Sequence, residues 1–384
     1  MALSEDLTPA HAAPLTAPIQ ETAAAGLPEE PTIAEAELRR HADELAQRLR
    51  AQRPGKTQED LIRYLDHLRK WLAARVPVWK QGTSTTELTP KLELVESARM
   101  FESVIPRGEG AATMFKDVPV AELPPVGMLP QVIHLAGSYL IAVDGIWSPG
   151  TLSIYVEQVQ RHHPLTLREI ELLPDALKIS QLELILNRAD AVFAQGDLPP
   201  IEQSPFSAPI HSLRRMNQIE WRDTLEPLVA FDAVLRLDPV GVFALMEEET
   251  RAAYRQRIAE LARHADTSEV QTAQVALELA QTAAHTEYPD PRMARRKSHI
   301  GYYLFADGIR ELKLRIGFRP SPMERLREWV STYNEEFYIL GTFILALLLI
   351  TAIILPLVPH HDFWPVMAAL LLALLPATQG AVDL

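Results

Sequence analysis

The residues of this chain that could do chemistry do not form a known catalytic or phosphate-binding pattern. Gly108 and Gly110 flank one residue, which is too short for a phosphate-binding loop, and no strand pattern precedes them. Segment 288–292 contains a single carboxylate and is typical of a turn. No Asp-x-Asp pair, which could hold a divalent cation against a diphosphate, is present. We therefore expect no catalytic, cofactor-binding or metal-binding residues in this chain.

The histidines do not change that expectation. His162 is adjacent to His163, and His360 is adjacent to His361. Adjacent side chains diverge on a helix, so neither pair is suited to chelating a metal ion, and a solvated or interfacial role is expected. His299 lies between a basic run and two tyrosines and is expected to be structural.

Length and composition limit the classes of protein to which this chain can belong. The chain has 384 residues, a net charge of −13 and no cysteine. Its length allows two ordinary domains. The basic residues form no long run, so nucleic acid is not expected as a partner. The lack of cysteine excludes disulfides and thiolate metal sites, and it suits a bacterial cytoplasm.

The elements that must position any site are predicted to be mostly helices, because no sustained alternating pattern indicates strands. The predicted fold class is a multi-helical cytoplasmic region followed by a two-helix transmembrane hairpin. The predicted divisions are a disordered tail at 1–30, N-terminal helices at 31–105, an irregular connector at 106–128, a helical cytoplasmic domain at 129–336, a first transmembrane helix at 337–358, an outer turn at 359–362 and a second transmembrane helix at 363–382.

Two N-terminal helices are expected to pack as a hairpin. Thr32 with Glu35 predicts a capping box at the start of the first helix. Leucine and alanine then recur on one face of each helix, with a break near Pro54. The apolar positions are Leu38, Ala42, Leu45 and Leu49 on the first helix and Leu61, Leu65, Leu68 and Leu72 on the second. A third helix is expected to begin at Pro90 and to end near Ile105.

Helix-start signals are densest after residue 129. Thr166 can cap a helix, Glu169 can reach back to it, and Leu165 can pack on Ile170, while the helix is expected to run to about Arg188. Pro174 lies inside that helix and predicts a kink or a restart. Two further starts are predicted, one with Asp238 as cap and Pro239 at the first helical position, and one with Ser268 and Gln271 as a capping box.

The C-terminal region carries the membrane signal. At about 1.5 Å per residue, the uncharged run 337–358 is long enough to cross a hydrocarbon core of about 30 Å. A second apolar run begins at Phe363 and is shorter. Arginines precede the first run and the turn has no cation, which predicts a cytoplasmic location for the rest of the chain. The lipid bilayer is thus an expected partner, and the bacterial inner membrane the expected location.

From Leu129 to Pro320 the sequence resembles the N-terminal, non-catalytic region of bacterial cyclic β-1,2-glucan synthases. The resemblance consists of blocks in a fixed order. These blocks are Pro130, Val132, Leu135 and Ala136; Tyr155, Val156 and Gln160; Pro164, Leu165, Thr166, Leu167, Glu169 and Ile170; Pro174; Trp221, Arg222 and Asp223; Asp238, Pro239, Gly241, Val242 and Phe243; His299, Ile300, Gly301, Tyr302, Tyr303 and Leu304; and Gly317, Phe318, Arg319 and Pro320. Pro376, Ala377 and Thr378 resemble a motif of the family's second membrane helix.

The resemblance implies a scaffolding, regulatory and membrane-anchoring segment of such a synthase. In the family, a glucosyltransferase domain that uses UDP-glucose and a divalent cation follows this region, as does a phosphorylase-like domain. The resemblance therefore implies the downstream transferase domain as a partner in the same polypeptide, and it predicts that this chain is a fragment. The alternative is a stand-alone membrane-anchored helical interaction protein. An autonomous enzyme is disfavoured because no catalytic constellation is visible.

One segment has the composition of a transferase motif without its order. Processive membrane glycosyltransferases often carry Gln-x-x-Arg-Trp near the acceptor site, whereas segment 218–222 has Trp221 before Arg222. We expect a packing tryptophan beside a surface ion pair instead.

Overall fold

The computed structural model describes residues 30–52, 58–81, 90–106, 110, 115, 118–123, 127–195 and 204–320. As predicted, these residues are mostly helical. The chain divides into two compact units, with the division between Gln256 and Arg257. The domain boundaries predicted from the sequence stay predictions.

The fold class predicted from the sequence was wrong in its membrane part. Within the ranges given above, no helix combines the length and the apolarity needed to cross a bilayer, so the structure does not support a transmembrane hairpin. The predicted spans 337–358 and 363–382 and the turn 359–362 lie outside the described residues. The prediction depended on apolar length alone, and apolar length is also a property of helices buried in a protein core. The corrected fold class is multi-helical with a small antiparallel sheet.

The first unit contains helices that differ widely in length. Its helices are α1 (Glu35–Arg48), α2 (Gln58–Lys80), α3 (Pro90–Val104), α4 (Gln131–Ala142), α5 (Pro149–Gln160), α6 (Leu167–Gln195), α7 (Ser207–Gln218), α8 (Arg222–Leu225) and α9 (Asp232–Leu235). Helix α10 (Glu248–Arg263) begins in this unit. The start of α3 at Pro90 was predicted, whereas α6 continues past the predicted end at Arg188.

The core of the first unit is centred on α4 and α6, which pack extensively on each other. Eight of the twelve residues of α4 are buried. Helix α6 carries buried apolar residues around its whole circumference, which is the pattern of a helix enclosed by neighbours. The apolar faces predicted for α1 and α2 are buried at all eight positions.

Helices α1 to α3 run alongside α5 to α7. Tyr64 bonds to Glu183 and Trp71 to Asp190, each across 119 residues of sequence. Arg214 bonds to Ser97 across 117 residues. Because the sequence separation between the bonded residues is nearly constant, each early helix runs parallel to the later helix beside it. The predicted α1–α2 hairpin was wrong in this respect, since α1 packs mainly on α5 and α4, and α2 packs mainly on α3.

A three-stranded antiparallel sheet joins distant parts of the first unit. Its strands are β1 (Arg50–Gln52), β2 (Val120–Leu123) and β3 (Gly127–Pro130), in that spatial order. Arg50 pairs with Glu122, and Val120 pairs with Pro130. Strand β2 lies within the stretch predicted to be an irregular connector. Strands of three or four residues are too short to show an alternating pattern, which explains why the sequence did not reveal them.

Two helix starts differ from their predictions. Helix α1 has Ala34 as its N-cap, with no side-chain capping bond, because Thr32 lies too far upstream. Asp238 and Pro239 form a turn, in which the Gly241 amide donates to the Asp238 carbonyl at 2.8 Å, and only a short 3-10 helix (Phe243–Leu245) follows.

The start of α6 has the predicted capping box. The Thr166 amide donates to Glu169 Oε2 at 2.8 Å, and the Glu169 amide donates to Thr166 Oγ1 at 3.3 Å. The Thr166 hydroxyl also donates to Glu169 Oε2, at 2.9 Å. Glu169, Leu165 and Ile170 are all buried.

We expect Thr166→Ala to lower the free energy of unfolding by about 0.5–2 kcal/mol, because the Glu169 amide would lose its acceptor. Chemical denaturation followed by tryptophan fluorescence measures this change. Thr282→Ala is a suitable control, since the exposed Thr282 hydroxyl donates only to the Glu278 carbonyl within its own helix. Equal unfolding free energies for Thr166→Ala and the unmodified chain would contradict the proposed role of the cap.

The second unit, after Gln256, is a smaller helical assembly. It contains the end of α10, then α11 (Glu269–Ala284), α12 (Pro291–Lys297), α13 (Ile300–Phe305) and α14 (Ile309–Arg315). Helix α11 begins with the predicted capping box of Ser268 and Gln271. The Tyr303 hydroxyl donates to the Leu279 carbonyl at 3.2 Å, which ties α13 to α11.

Candidate functional site

A cleft of about 760 Å³ opens in the first unit. This volume lies within the range of about 300–1,000 Å³ that is usual for small-molecule sites. We call it the central cleft. It is lined by His41, Glu44, Leu45 and Arg48 of α1, Tyr64 of α2, Leu129 of β3, Ile133, His134, Gly137, Ser138 and Ile141 of α4, Asp144 of the following turn, and Ser180, Glu183, Leu184, Asn187 and Arg188 of α6.

Several polar side chains of the central cleft are already engaged with the protein. His134 Nε2 lies 3.1 Å from the Ala121 carbonyl, and Ser180 donates to the Ile133 carbonyl at 3.4 Å. Ser138 Oγ accepts the Tyr155 hydroxyl at 2.9 Å. Burial raises the pKa of Tyr155 well above its ordinary value. Tyr155 therefore stays protonated and holds Ser138 in place.

Tyr64 and Glu183 form a hydrogen-bonded pair in the cleft. The Tyr64 hydroxyl donates to Glu183 Oε2 at 2.6 Å. Burial is the main cause that raises the pKa of Tyr64, and the charge and hydrogen bond of Glu183 raise it further. Tyr64 is thus a permanent donor. Within the described part of the chain, Glu183 Oε1 has no hydrogen-bond donor, so it is available to accept a bond from a ligand.

The wall of the cleft at the end of α4 has a strained backbone. Asp144 has a φ of 52°, a left-handed conformation that is uncommon for residues other than glycine. The Asp144 amide donates to the Ile141 carbonyl, and the Gly145 amide donates to the Leu140 carbonyl. These two bonds form a Schellman motif that ends the helix. Asp144 Oδ1 also accepts a bond from Arg188 Nη2 at 2.6 Å, so the strained turn is tied to α6.

Gly137 opens the surface of α4 that faces the cleft. Among the described residues, a Cβ atom at this position would meet only Ser180 Oγ, at 3.8 Å, which is an ordinary contact. Glycine inside a helix costs about 0.5–1 kcal/mol relative to alanine. Packing within the protein therefore does not require glycine at position 137, and a side chain there would occupy the cleft instead.

A second polar cluster is buried near the start of α10. Arg255 Nε donates to Asp232 Oδ1 at 2.9 Å, and Arg255 Nη2 donates to Glu226 Oε1 at 2.7 Å. Arg251 Nε forms an ion pair with Glu226 Oε1 at 3.0 Å. Arg255 and Asp232 are buried, whereas Glu226 is partly exposed. The four groups neutralise one another, which indicates a structural role.

This cluster predicts a loss of stability in acid. Burial alone would raise the pKa of Glu226, but the hydrogen bonds and charges of Arg255 and Arg251 outweigh it and hold the pKa below the ordinary value of 4.5. A carboxyl whose pKa is lowered by folding contributes stability above its unfolded pKa, and that contribution is lost as pH falls through the folded pKa. Denaturant midpoints measured from pH 7 to below pH 4.5 test this, and Glu226→Gln should show a smaller fall.

The histidine pair in the described region makes separate contacts. His162 Nε2 lies 3.2 Å from Asp43 Oδ1, whereas His163 Nε2 lies 2.8 Å from the Ala46 carbonyl. His360 and His361 lie outside the described residues. Among the residues that the structure describes, no group of three or more His, Cys, Asp or Glu side chains is placed to hold a metal ion.

Trp221 packs as predicted. Its indole ring lies 5.1 Å from the ring of the fully buried Trp147, and its Nε1 donates to the Met216 carbonyl at 2.9 Å. Arg222 forms an ion pair with Glu248 at 2.6 Å. Segment 218–222 therefore contributes packing and a surface ion pair.

The central cleft was not predicted from the sequence. Its residues come from five elements and from segments more than a hundred positions apart, and only the fold brings them together. The one local signal was Asp144-Gly145, because this dipeptide after an apolar run marks a turn.

The sequence of this chain is similar to part of a known synthase. No protein-family model matches the chain. The cyclic β-(1,2)-glucan synthase NdvB of Rhizobium meliloti (strain 1021) is 30% identical over 180 residues. The match covers 46% of this chain but only 6% of the synthase, so the chain corresponds to a small part of that relative. The similarity supports a distant relationship to cyclic glucan synthases.

Proposed function

We propose that this chain is a non-catalytic helical segment that supports a glucosyltransferase in the synthesis of cyclic β-1,2-glucan. The observation that carries the proposal is the 30% identity over 180 residues with the Rhizobium meliloti synthase. The relationship is distant and covers a small part of that protein. The scaffolding role, and the correspondence to the N-terminal region of a synthase, are therefore parts of the proposal.

The packing of the resembling positions supports a scaffolding role. Val132, Leu135 and Ala136 are fully buried in α4, and Tyr155 and Val156 are fully buried in α5. Thr166 and Glu169 form the capping box of α6. These positions build the core and start a helix, so their side chains are occupied with folding.

The proposed partner is the transferase domain that follows this region in the family. In that arrangement, UDP-glucose and a divalent cation belong to the partner domain, and this chain supplies a folded surface beside it. The predicted location, at a bacterial inner membrane with the helical region in the cytoplasm, depends on residues 337–382 and does not form part of the proposal.

A chimaeric synthase tests the proposed function. The matching region of the Rhizobium meliloti synthase is replaced by the corresponding region of this chain, in cells that lack the native enzyme, and cyclic β-1,2-glucan is quantified. We expect the chimaera to produce glucan and a synthase without the region to produce little. Both proteins are quantified, so that output is expressed per molecule.

Two results would contradict the proposal. Normal glucan output from the synthase without the region would show that the region has no role in synthesis. A chimaera of normal abundance without glucan output would show that this chain serves another purpose, such as that of a stand-alone helical interaction protein.

The isolated chain is expected not to bind UDP-glucose at micromolar concentration. The central cleft has three carboxylates against two guanidinium groups, and Arg188 is already paired with Asp144. A diphosphate would meet net negative charge there, which is unfavourable. Calorimetry with UDP-glucose and magnesium measures binding directly, and a saturable micromolar isotherm would contradict this expectation.

A further inference from the structure

We infer that the central cleft binds a short, neutral, β-linked gluco-oligosaccharide. A neutral ligand with both apolar and hydroxyl-bearing surface follows from the lining of the cleft, whereas the choice of glucose and of its β linkage rests on the proposed function. The ligand is held without reacting.

The charged side chains that line the central cleft favour a neutral ligand. The lining contains the carboxylates of Glu44, Asp144 and Glu183 and the guanidinium groups of Arg48 and Arg188. The lining is thus close to neutral and slightly negative when both histidines are uncharged. Neither a phosphate nor a strongly cationic ligand gains a large electrostatic attraction, so hydrogen bonding and apolar contact must supply the affinity.

The lining combines the two surfaces that a sugar ring requires. Five aliphatic residues line the cleft, namely Leu45, Leu129, Ile133, Ile141 and Leu184. Ile141 and Leu184 keep accessible surface for the C–H faces of the ring, whereas the other three are nearly fully buried. Ile141 is 73% exposed, although it is large and apolar, and it lies at the cleft. A ligand that covers Ile141 would remove this apolar surface from water.

Hydroxyl groups of a sugar find partners in the same space. Glu183 Oε1 can accept a hydrogen bond from a hydroxyl group, because Tyr64 occupies only the other carboxylate oxygen. Asn187 is exposed at the cleft, and its side chain makes no hydrogen bond with any described residue. An amide both donates and accepts, which matches a hydroxyl group.

Gly137 provides an independent indication that the space receives a ligand. Among the described residues, a Cβ atom at this position would meet nothing closer than Ser180 Oγ at 3.8 Å, so packing does not demand a glycine. The glycine keeps the backbone of α4 open to the cleft, and a glycine in a cleft wall lets a ligand approach closely.

Binding measurements on the full chain test the inference. The probes are β-1,2-linked gluco-oligosaccharides of increasing length, with β-1,4-linked gluco-oligosaccharides as the linkage comparison, in isothermal titration calorimetry. We expect saturable binding that favours the β-1,2 linkage. Glu183→Gln should weaken it by about tenfold, the size of a lost hydrogen bond to a charged acceptor.

Gly137→Leu fills the cleft and is the decisive variant. It should abolish binding while leaving the thermal midpoint unchanged or raised, since leucine is a better helix former than glycine. Gly150→Leu is the matched control, because a Cβ atom there meets no described residue within 4 Å and Gly150 does not line the cleft. It should bind as the unmodified chain does.

The inference is overturned if no gluco-oligosaccharide binds, or if Gly137→Leu binds normally. Equal binding of both linkages would overturn the assignment to β-1,2-glucan. These outcomes are separate from the test of the proposed function. If no gluco-oligosaccharide binds but the chimaera produces glucan, only the inference is overturned. If a gluco-oligosaccharide binds but the chimaera produces no glucan, only the proposed function is overturned.

Discussion

Replacing Arg255 with leucine is expected to lower the free energy of unfolding by about 3–5 kcal/mol, because removal of one partner from a buried ion pair leaves the other charge uncompensated. Asp232 is only 4% exposed, and both of its carboxylate oxygens accept bonds from Arg255. Without the guanidinium group, the Asp232 carboxylate would be buried without a counter-ion. Glu226 would still retain its ion pair with Arg251.

Denaturant titration followed by tryptophan fluorescence measures the effect. The double variant Asp232→Leu with Arg255→Met should be considerably more stable than Arg255→Leu alone, since apolar side chains of similar volume can replace a buried pair. Arg40→Ala provides a surface control, because Arg40 and its partners Glu37 and Glu44 are all more than half exposed, and a change of about 0–1 kcal/mol is expected. A loss as small as that of Arg40→Ala would show that the Arg255 cluster does not stabilise the fold.

Nothing in the local sequence distinguishes this buried cluster from solvated charge. Arg255 lies in α10 in a segment with many charged residues, and its partners are 23 and 29 positions away. Periodicity reports which face of a helix is apolar, but a buried arginine on that face appears as an exception to the pattern. Only the positions of α9 and the preceding 3-10 turn (Glu226–Leu228) make Arg255 an interior residue.

Helix caps could be predicted from the sequence where every hydrogen bond of the cap lies within one helical turn. Thr166 with Glu169 and Ser268 with Gln271 both form capping boxes, since the motif is defined by residues three positions apart. Thr32 with Glu35 has the same spacing and fails, because the chain enters α1 at Ala34 in an extended conformation. Sequence spacing alone could not separate these cases.

The sequence did not reveal which helices pack against each other. The apolar stripe of α1 was identified correctly, but the stripe does not specify what covers it. Adjacency in the chain suggested α2, whereas the structure places α5 and α4 against it. The central cleft has the same origin, since it lies where α1, α4 and α6 meet and depends on pairings more than a hundred residues apart.

Gly145→Ala is expected to lower the free energy of unfolding by about 2–4 kcal/mol, from backbone strain and crowding together. Gly145 has a φ of 76°, a conformation that side-chain-bearing residues rarely adopt. A Cβ atom would lie 3.2 Å from Pro209 Cγ and 3.3 Å from Leu184 Cδ2, closer than ordinary contact. It would also lie 3.4 Å from Gln181 Nε2, which donates to the carbonyls of Gly145 and Pro209. The substitution therefore strains the link between the end of α4 and the two helices beside it.

Gly150→Ala separates this local effect from the general effect of replacing glycine. A Cβ atom at Gly150 meets nothing within 4 Å in the described part of the chain, and the residue lies in the first turn of α5. Alanine there should raise stability by about 0.4–1 kcal/mol, because it reduces the freedom of the unfolded chain without straining the folded one. Denaturant midpoints of the two variants should thus move in opposite directions from that of the unmodified chain. If Gly145→Ala were as stable as Gly150→Ala, the left-handed turn that shapes the wall of the central cleft would not require glycine.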